Sequence, residues 1–256
     1  METKTTFLKS SLLALFLLIS TTVTVFADTY YVCSGAALTL TDPPVDANLT
    51  YTWDVKLNNV SVPYPGSPGK PTSMPAAAGI YTVTLTSNLT PAGTLAGVCA
   101  PETGEYNVIV LPPLALTIDA PTKPSYCGVS ANSESVVSLT GTAPSLPTNV
   151  VGPPAAPYSS DLELEYSYSV VKTVGAVVSP AVDGATIGTI NQTTGAYTLT
   201  TDAVGSYAIT GTVKYKQKAG FANTLLGTTG CPATSGTQTV VVTAAPAAPT
   251  ITITAP

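Results

Sequence analysis

Along most of the chain apolar and polar residues alternate one for one. That is the period of a strand whose side chains point to opposite faces. The plainest case is Gly79-Ile80-Tyr81-Thr82-Val83-Thr84-Leu85, where Tyr81, Val83 and Leu85 share one face and Thr82, Thr84 and Thr86 the other. The phrase returns as Gly205-Ser206-Tyr207-Ala208-Ile209-Thr210, with weaker echoes at Gly104-Glu105-Tyr106 and Gly195-Ala196-Tyr197. Tyr51-Thr52-Trp53-Asp54-Val55 alternates in the same way. So does Leu162 to Val170, which turns Leu162, Leu164, Tyr166, Tyr168 and Val170 to a core and Asp161, Glu163 and Glu165 to water. Closing strands are expected at 106–111 and 237–243. Beyond the first 27 residues no segment carries an apolar period of 3.6. The pattern predicts an all-β chain, and the recurring Gly-x-Tyr-x-aliphatic phrase predicts two related β-domains in tandem.

Breaks in the alternation divide the chain. Lys4 and Lys9 precede a short apolar run, Leu12 to Ile19, and Val25-Phe26-Ala27 offers the small residues a signal peptidase prefers. Residues 1–27 therefore read as a signal peptide cleaved after Ala27; the run is shorter than the ~20 apolar residues of a membrane span. A first domain is expected over 28–112 and a second over 113–245, its first strand at Leu116 to Ile118. The second domain's extra length is expected in two loops, 143–158 and 217–237. Residues 246–256 read as a stiff Pro/Ala linker followed by the strand-like Thr250-Ile251-Thr252-Ile253-Thr254.

Composition sharpens this picture. Charged residues are only 9% of the chain, against 23 Pro and 20 Gly, which suits short strands joined by tight turns. The net charge of -5 leaves no basic surface to displace the counterions of a nucleic acid. Histidine and arginine are both absent, which removes the commonest general base and the bidentate phosphate clamp. After leader cleavage nothing else is apolar enough to insert in a membrane, so the expected location is secreted, extracellular or cell-surface, with the periplasm as the alternative.

Four cysteines in an exported chain imply disulfides. Cys33 and Cys127 each open a domain, in Tyr31-Val32-Cys33-Ser34-Gly35 and Ser125-Tyr126-Cys127-Gly128-Val129. Cys99 and Cys231 each precede a closing strand. The repeat predicts one bridge per domain, Cys33–Cys99 and Cys127–Cys231. Trp53, Tyr81 and Tyr207 are the expected core aromatics, the two tyrosines at equivalent positions in the penultimate strand of each domain.

The Val32-Cys33-Ser34-Gly35 opening, Tyr51-Thr52-Trp53-Asp54, Gly79 to Thr84 and the late cysteine before a Val-rich strand resemble the Ig-like and PKD-like repeats of Bacteroidota secreted cell-surface proteins. Ile187 to Tyr197 is similar to a phrase of bacterial Ig-like surface domains. The resemblance implies β-sandwich domains that serve as spacers or adhesive modules. The fuller Trp-Asp-Phe-Gly-Asp-Gly signature is absent, since Val55-Lys56-Leu57 follows Trp53-Asp54.

Three chemical readings compete with a structural one. Ser67-Pro68-Gly69-Lys70 matches the S-x-x-K of acylating serine enzymes, but two prolines and a glycine forbid the helix that pattern needs. Asp161, Glu163 and Glu165 suggest a carboxylate hydrolase or a Ca²⁺ site, with Asp119 near the domain junction, against the plainer reading of a solvated face. Tyr64, Tyr126, Tyr158, Tyr166 and Tyr168 suggest a sugar platform, against core packing. The reading that follows is a non-enzymatic module with no cofactor, acting as spacer or adhesin toward a surface protein or polysaccharide.

Overall fold

The computed structural model describes residues 29–41, 43, 45–91, 103–128, 134–140, 161–221, 224–227 and 229–247. Cys99, Tyr158, the leader, the 143–158 loop and the strand-like tail lie outside them. The first domain supplies β1 (Thr29–Cys33), β2 (Leu49–Leu57), β3 (Val60–Ser61), β4 (Gly79–Leu89) and β5 (Thr103–Leu111). The second supplies β6 (Thr117–Ile118), β7 (Ser125–Cys127), β8 (Ser135–Val137), β9 (Leu139–Thr140), β10 (Leu162–Val174), β11 (Val177–Val178) and β12 (Val182–Asp183). It continues through β13 (Gly188–Ile190), β14 (Tyr197–Leu199), β15 (Gly205–Gln217), β16 (Thr224–Leu225) and β17 (Ala233–Thr243). The chain is all-β, with a single 3₁₀ turn at Gly184–Thr186 among the described residues, capped by the Asp183 carboxylate on the Ala185 N–H.

Both domains are built on one plan. In the second, β11-β10-β15-β17-β7 forms one sheet, with β7 parallel to β17. Facing it are β13-β14-β8 and the β6-β9 pair. Their inner faces meet in a core of Val137, Tyr168, Val170, Tyr197, Leu199, Tyr207, Ile209, Val240 and Val242. This is the strand order of an immunoglobulin-type sandwich. In the first domain β1-β5-β4-β2-β3 repeats that sheet strand for strand, β1 again parallel to β5. Its second layer is irregular: among the described residues it holds only the Ala37–Ser73 bridge, and Leu38, Leu40, Val62, Tyr64 and Met74 pack from it onto Val55, Tyr81, Val83 and Val108.

The Gly-x-Tyr phrase marks one structural position in each domain. Tyr81 and Tyr207 are both buried, and each phenol donates to the carbonyl four residues upstream, Ala77 and Ala203 respectively. This is the tyrosine corner at the start of the penultimate strand. Trp53 is half-buried at the edge of the first core. The segment expected to be a loop at 217–237 is more ordered than its Gly, Ala and Thr content suggests. The closing strand already begins at Ala233, and β16 forms within the segment.

Candidate functional site at the junction of the two domains

The most elaborate construction in the molecule is where the second domain grips the first. Strands β10 and β15 are each 13 residues long and run past the end of their own facing sheet. The overhang carries Leu162, Leu164 and Tyr215 on the face that elsewhere fills the core, with Leu164 opposite Tyr215. These side chains pack on the outer face of the first domain's sheet, against Tyr31, Ile80, Ile109 and Leu111. That explains why β5 reads Val108-Ile109-Val110-Leu111: a strand covered on both sides loses the alternation of a half-buried one.

Polar bonds fix the register of this contact. The Tyr31 phenol donates to Asp161 Oδ2 at 2.7 Å, both groups buried. The Tyr215 phenol donates to the Pro112 carbonyl at 3.0 Å, and burial pushes its pKa up to about 12. The segment after β15 then crosses to the first domain. There β16 adds a sixth strand to the sheet, parallel to β1, with Tyr30 opposite Thr224 and Tyr31 opposite Leu225. The Leu226 N–H donates to the Tyr31 carbonyl at 2.8 Å. Gln217 steadies the crossing, its amide donating to the Phe221 carbonyl at 2.8 Å.

The return of the segment is fastened covalently. Cys231 bonds Cys33 across a sequence separation of 198. Gly230 sits at φ +65°, and a Cβ there would lie 2.1 Å from the Tyr215 carbonyl oxygen, so only glycine fits. This corrects both expected bridges: Cys33 is joined to Cys231, not Cys99, and Cys231 is therefore not joined to Cys127. The repeat places the cysteines equivalently, because Cys33 stands opposite Leu111 and Cys127 opposite Thr243, the last residues of the two closing strands. The bridge of the first domain is closed by a cysteine from the second domain's crossing segment. The Cys127 sulfur accepts from the Thr243 hydroxyl at 3.7 Å.

The residues singled out for chemistry are dispersed. Asp161 is not on the wet face; it faces Tyr31 in the junction. Glu165 pairs with Lys214 at 2.7 Å and with Lys216 at 3.3 Å, and Glu163 with Lys216 at 3.6 Å. The hydrogen bond from Lys214 holds the Glu165 carboxyl below the usual range. Among the described residues no three His, Cys, Asp or Glu side chains gather into a metal-binding group. Lys70 donates to the Leu40 carbonyl at 3.1 Å from an irregular segment, without the helix S-x-x-K chemistry requires. Tyr64 donates to the Trp53 and Gly69 carbonyls, Tyr126 to the Thr201 carbonyl, and Tyr168 to the Gly195 carbonyl while stacking on Tyr197 at 4.6 Å. Burial raises the Tyr126 pKa to about 12. Tyr64 packs on the first core, and Tyr126, Tyr166 and Tyr168 on the second.

No family model matches the chain, and no curated protein matches it. Among solved structures it is similar to the three N-terminal domains of the Highly Immunogenic Outer Capsid protein (Hoc) of bacteriophage RB49, at 10% identity and a TM-score of 0.42, covering 84% of this chain and 67% of that one. It is also similar to the extracellular portion of mouse CD200RLa, at 12% identity and a TM-score of 0.28, covering 82% and 98%. A third is Bacteroides ovatus SGBP-B in complex with a mixed-linkage heptasaccharide, at 16% identity and a TM-score of 0.24, covering 85% and 66%.

Proposed function

We propose that the chain is a non-catalytic extracellular module whose two sandwich domains act mechanically as one stiff body, as a spacer or adhesive segment at a cell surface. The observation that carries this reading is the junction. An apolar overhang, an added β-strand and a disulfide each join the two domains, and none of the three supplies a nucleophile, an acid–base pair or a metal site. Domains joined only by a flexible linker move relative to each other by default; a shared sheet and a covalent bridge oppose that motion. The expected leader and the disulfide suit export to an oxidising compartment, and the resemblance to Ig-like surface repeats supports a cell-surface setting.

Backbone ¹⁵N relaxation of the oxidised protein tests the stiffness. Both domains should report one rotational correlation time, that of the whole chain. Two distinct and shorter times, one per domain, would sink the proposal.

A further inference from the structure

We infer that the Cys33–Cys231 bridge is a tension clasp: a pull on the two ends of the oxidised chain runs through the sulfurs and bypasses both sandwiches. The bridge closes β2 to β16 into one covalent loop with a sequence separation of 198. Among the described strands only β1 and β17 lie outside it, one at each end. Cys33 is the last residue of β1, and Cys231 stands just before β17, which starts at Ala233. The covalent route from Thr29 to Thr243 is therefore β1, the bridge, Pro232 and β17. A bridge confined to one sandwich would leave the other in the path of the load. The crossing segment brings both inside the loop.

Both strands in this route are already extended. β1 stands beside β5 from Thr29 opposite Asn107 to Cys33 opposite Leu111, and Leu111 is buried in the junction with Leu162 and Tyr215. β17 leaves the same junction, with Ala233 opposite Val213, and runs the length of the second domain to Val242 opposite Gly205. A strand rises about 3.3 Å per residue, and a fully stretched chain reaches at most ~3.6 Å. The route holds about 16 residue steps, so stretching it gains on the order of 10 Å. Without the bridge the same pull acts on about 214 steps and can draw out about 650 to 700 Å. Forced unfolding of a sandwich is set by how fast its noncovalent contacts give way. The route through the bridge contains none of them. The load itself rests on the spacer reading, with a surface at one end of the chain and an attachment at the other.

Single-molecule force spectroscopy on the full mature chain, with a handle at each end, tests this. The oxidised protein should show no unfolding step, and residues 29–243 should lengthen by less than ~20 Å. A dithiol reductant added to the tethered, folded molecule converts both cysteines to thiols and is itself oxidised to a disulfide. The same pull should then release about 650 to 700 Å in one or more steps. The variant carrying both Cys33→Ser and Cys231→Ser should lengthen by several hundred ångström with no reductant present. A step of that size in the oxidised wild type overturns the inference. So does a reduced protein that stays as short as the oxidised one. Two separate rotational correlation times would defeat the stiff-body reading and leave the force result unchanged, so the two failures are told apart.

Discussion

Replacing both Cys33 and Cys231 by serine removes the bridge and leaves the other two cysteines in place. The closed loop has a sequence separation of 198. Chain-entropy reasoning for a loop of that length gives about 18 cal/mol/K, or about 5 kcal/mol at 25 °C, before any residual order in the unfolded chain is subtracted. With a urea m-value of about 2 to 3 kcal/mol/M, the denaturation midpoint should fall by about 2 M. The loss should appear first in the first domain, because β1 is held at its end by the bridge and along its edge by β16, which the bridge restrains. Urea titration followed by Trp53 fluorescence and far-UV circular dichroism measures this. The two probes should coincide in the oxidised protein and separate in the variant, with Trp53 leading. Unchanged midpoints would refute the reasoning. So would a peptide map: cleavage after lysine, except before proline, puts Cys33 in a peptide ending at Lys56, Cys99 and Cys127 in 57–172, and Cys231 in 219–256. Under non-reducing conditions the first and last of these must travel together.

Tyr81→Phe and Tyr207→Phe each remove one corner hydrogen bond and keep the buried ring, so each should cost about 1 kcal/mol in urea titration. The effects should add in the double variant because the two corners lie in different domains; strong coupling would show that they do not act separately. Alkali should unfold the protein between pH 10 and 12. Burial raises the Tyr126 and Tyr215 pKa values from 10 to about 12, so the folded state holds those protons after the unfolded state has lost them. Stability is then full below pH 10 and falls as pH rises toward 12, by about 2 to 3 kcal/mol for each tyrosine. Full ionisation of all thirteen tyrosines by pH 11 in a still-folded protein would contradict this.

The alternation of single strands was enough to read the fold class, and the paired Gly-x-Tyr phrases marked equivalent strands. The phrase alone was not sufficient. Its echo at Tyr106 lands exposed on a closing strand, and its echo at Tyr197 in the middle of a facing sheet. What decides is the carbonyl four residues upstream, and the sequence does not show whether the chain turns there. The bridge was illegible for a related reason. Cysteine positions recur with the domain, but the repeat does not say whether a late loop folds back on its own sheet or crosses to the one before. The segment that crosses, from Gln217 to Ala233, contributes a two-residue strand whose residues carry no alternation of their own.

One trace of the junction was nevertheless present in the residues of the outer sheet face. In the first domain the outward positions of β1, β4 and β5 that meet the second domain hold Tyr31, Ile80, Ile109 and Leu111. The equivalent outward positions in the second domain hold Ser125, Ser206, Val241 and Thr243. The inner faces of the two sheets are alike, so the difference cannot come from a need to fill each sandwich. It follows the covering: the apolar set lies under the overhang, and in the polar set Val241 is 39% exposed. Loss of alternation in Val108 to Leu111 therefore signals a second apolar neighbour outside the domain. It also means that the first domain's sheet is not complete alone. Without Leu162, Leu164 and Tyr215, four large side chains on one sheet would lose their cover, and fully burying an aliphatic one such as Ile109 or Leu111 is worth about 1.5 to 3 kcal/mol. The second domain thus contributes to the stability of the first through its own core-facing residues. The two sandwiches share an interior across a boundary that sequence pattern alone draws as a linker.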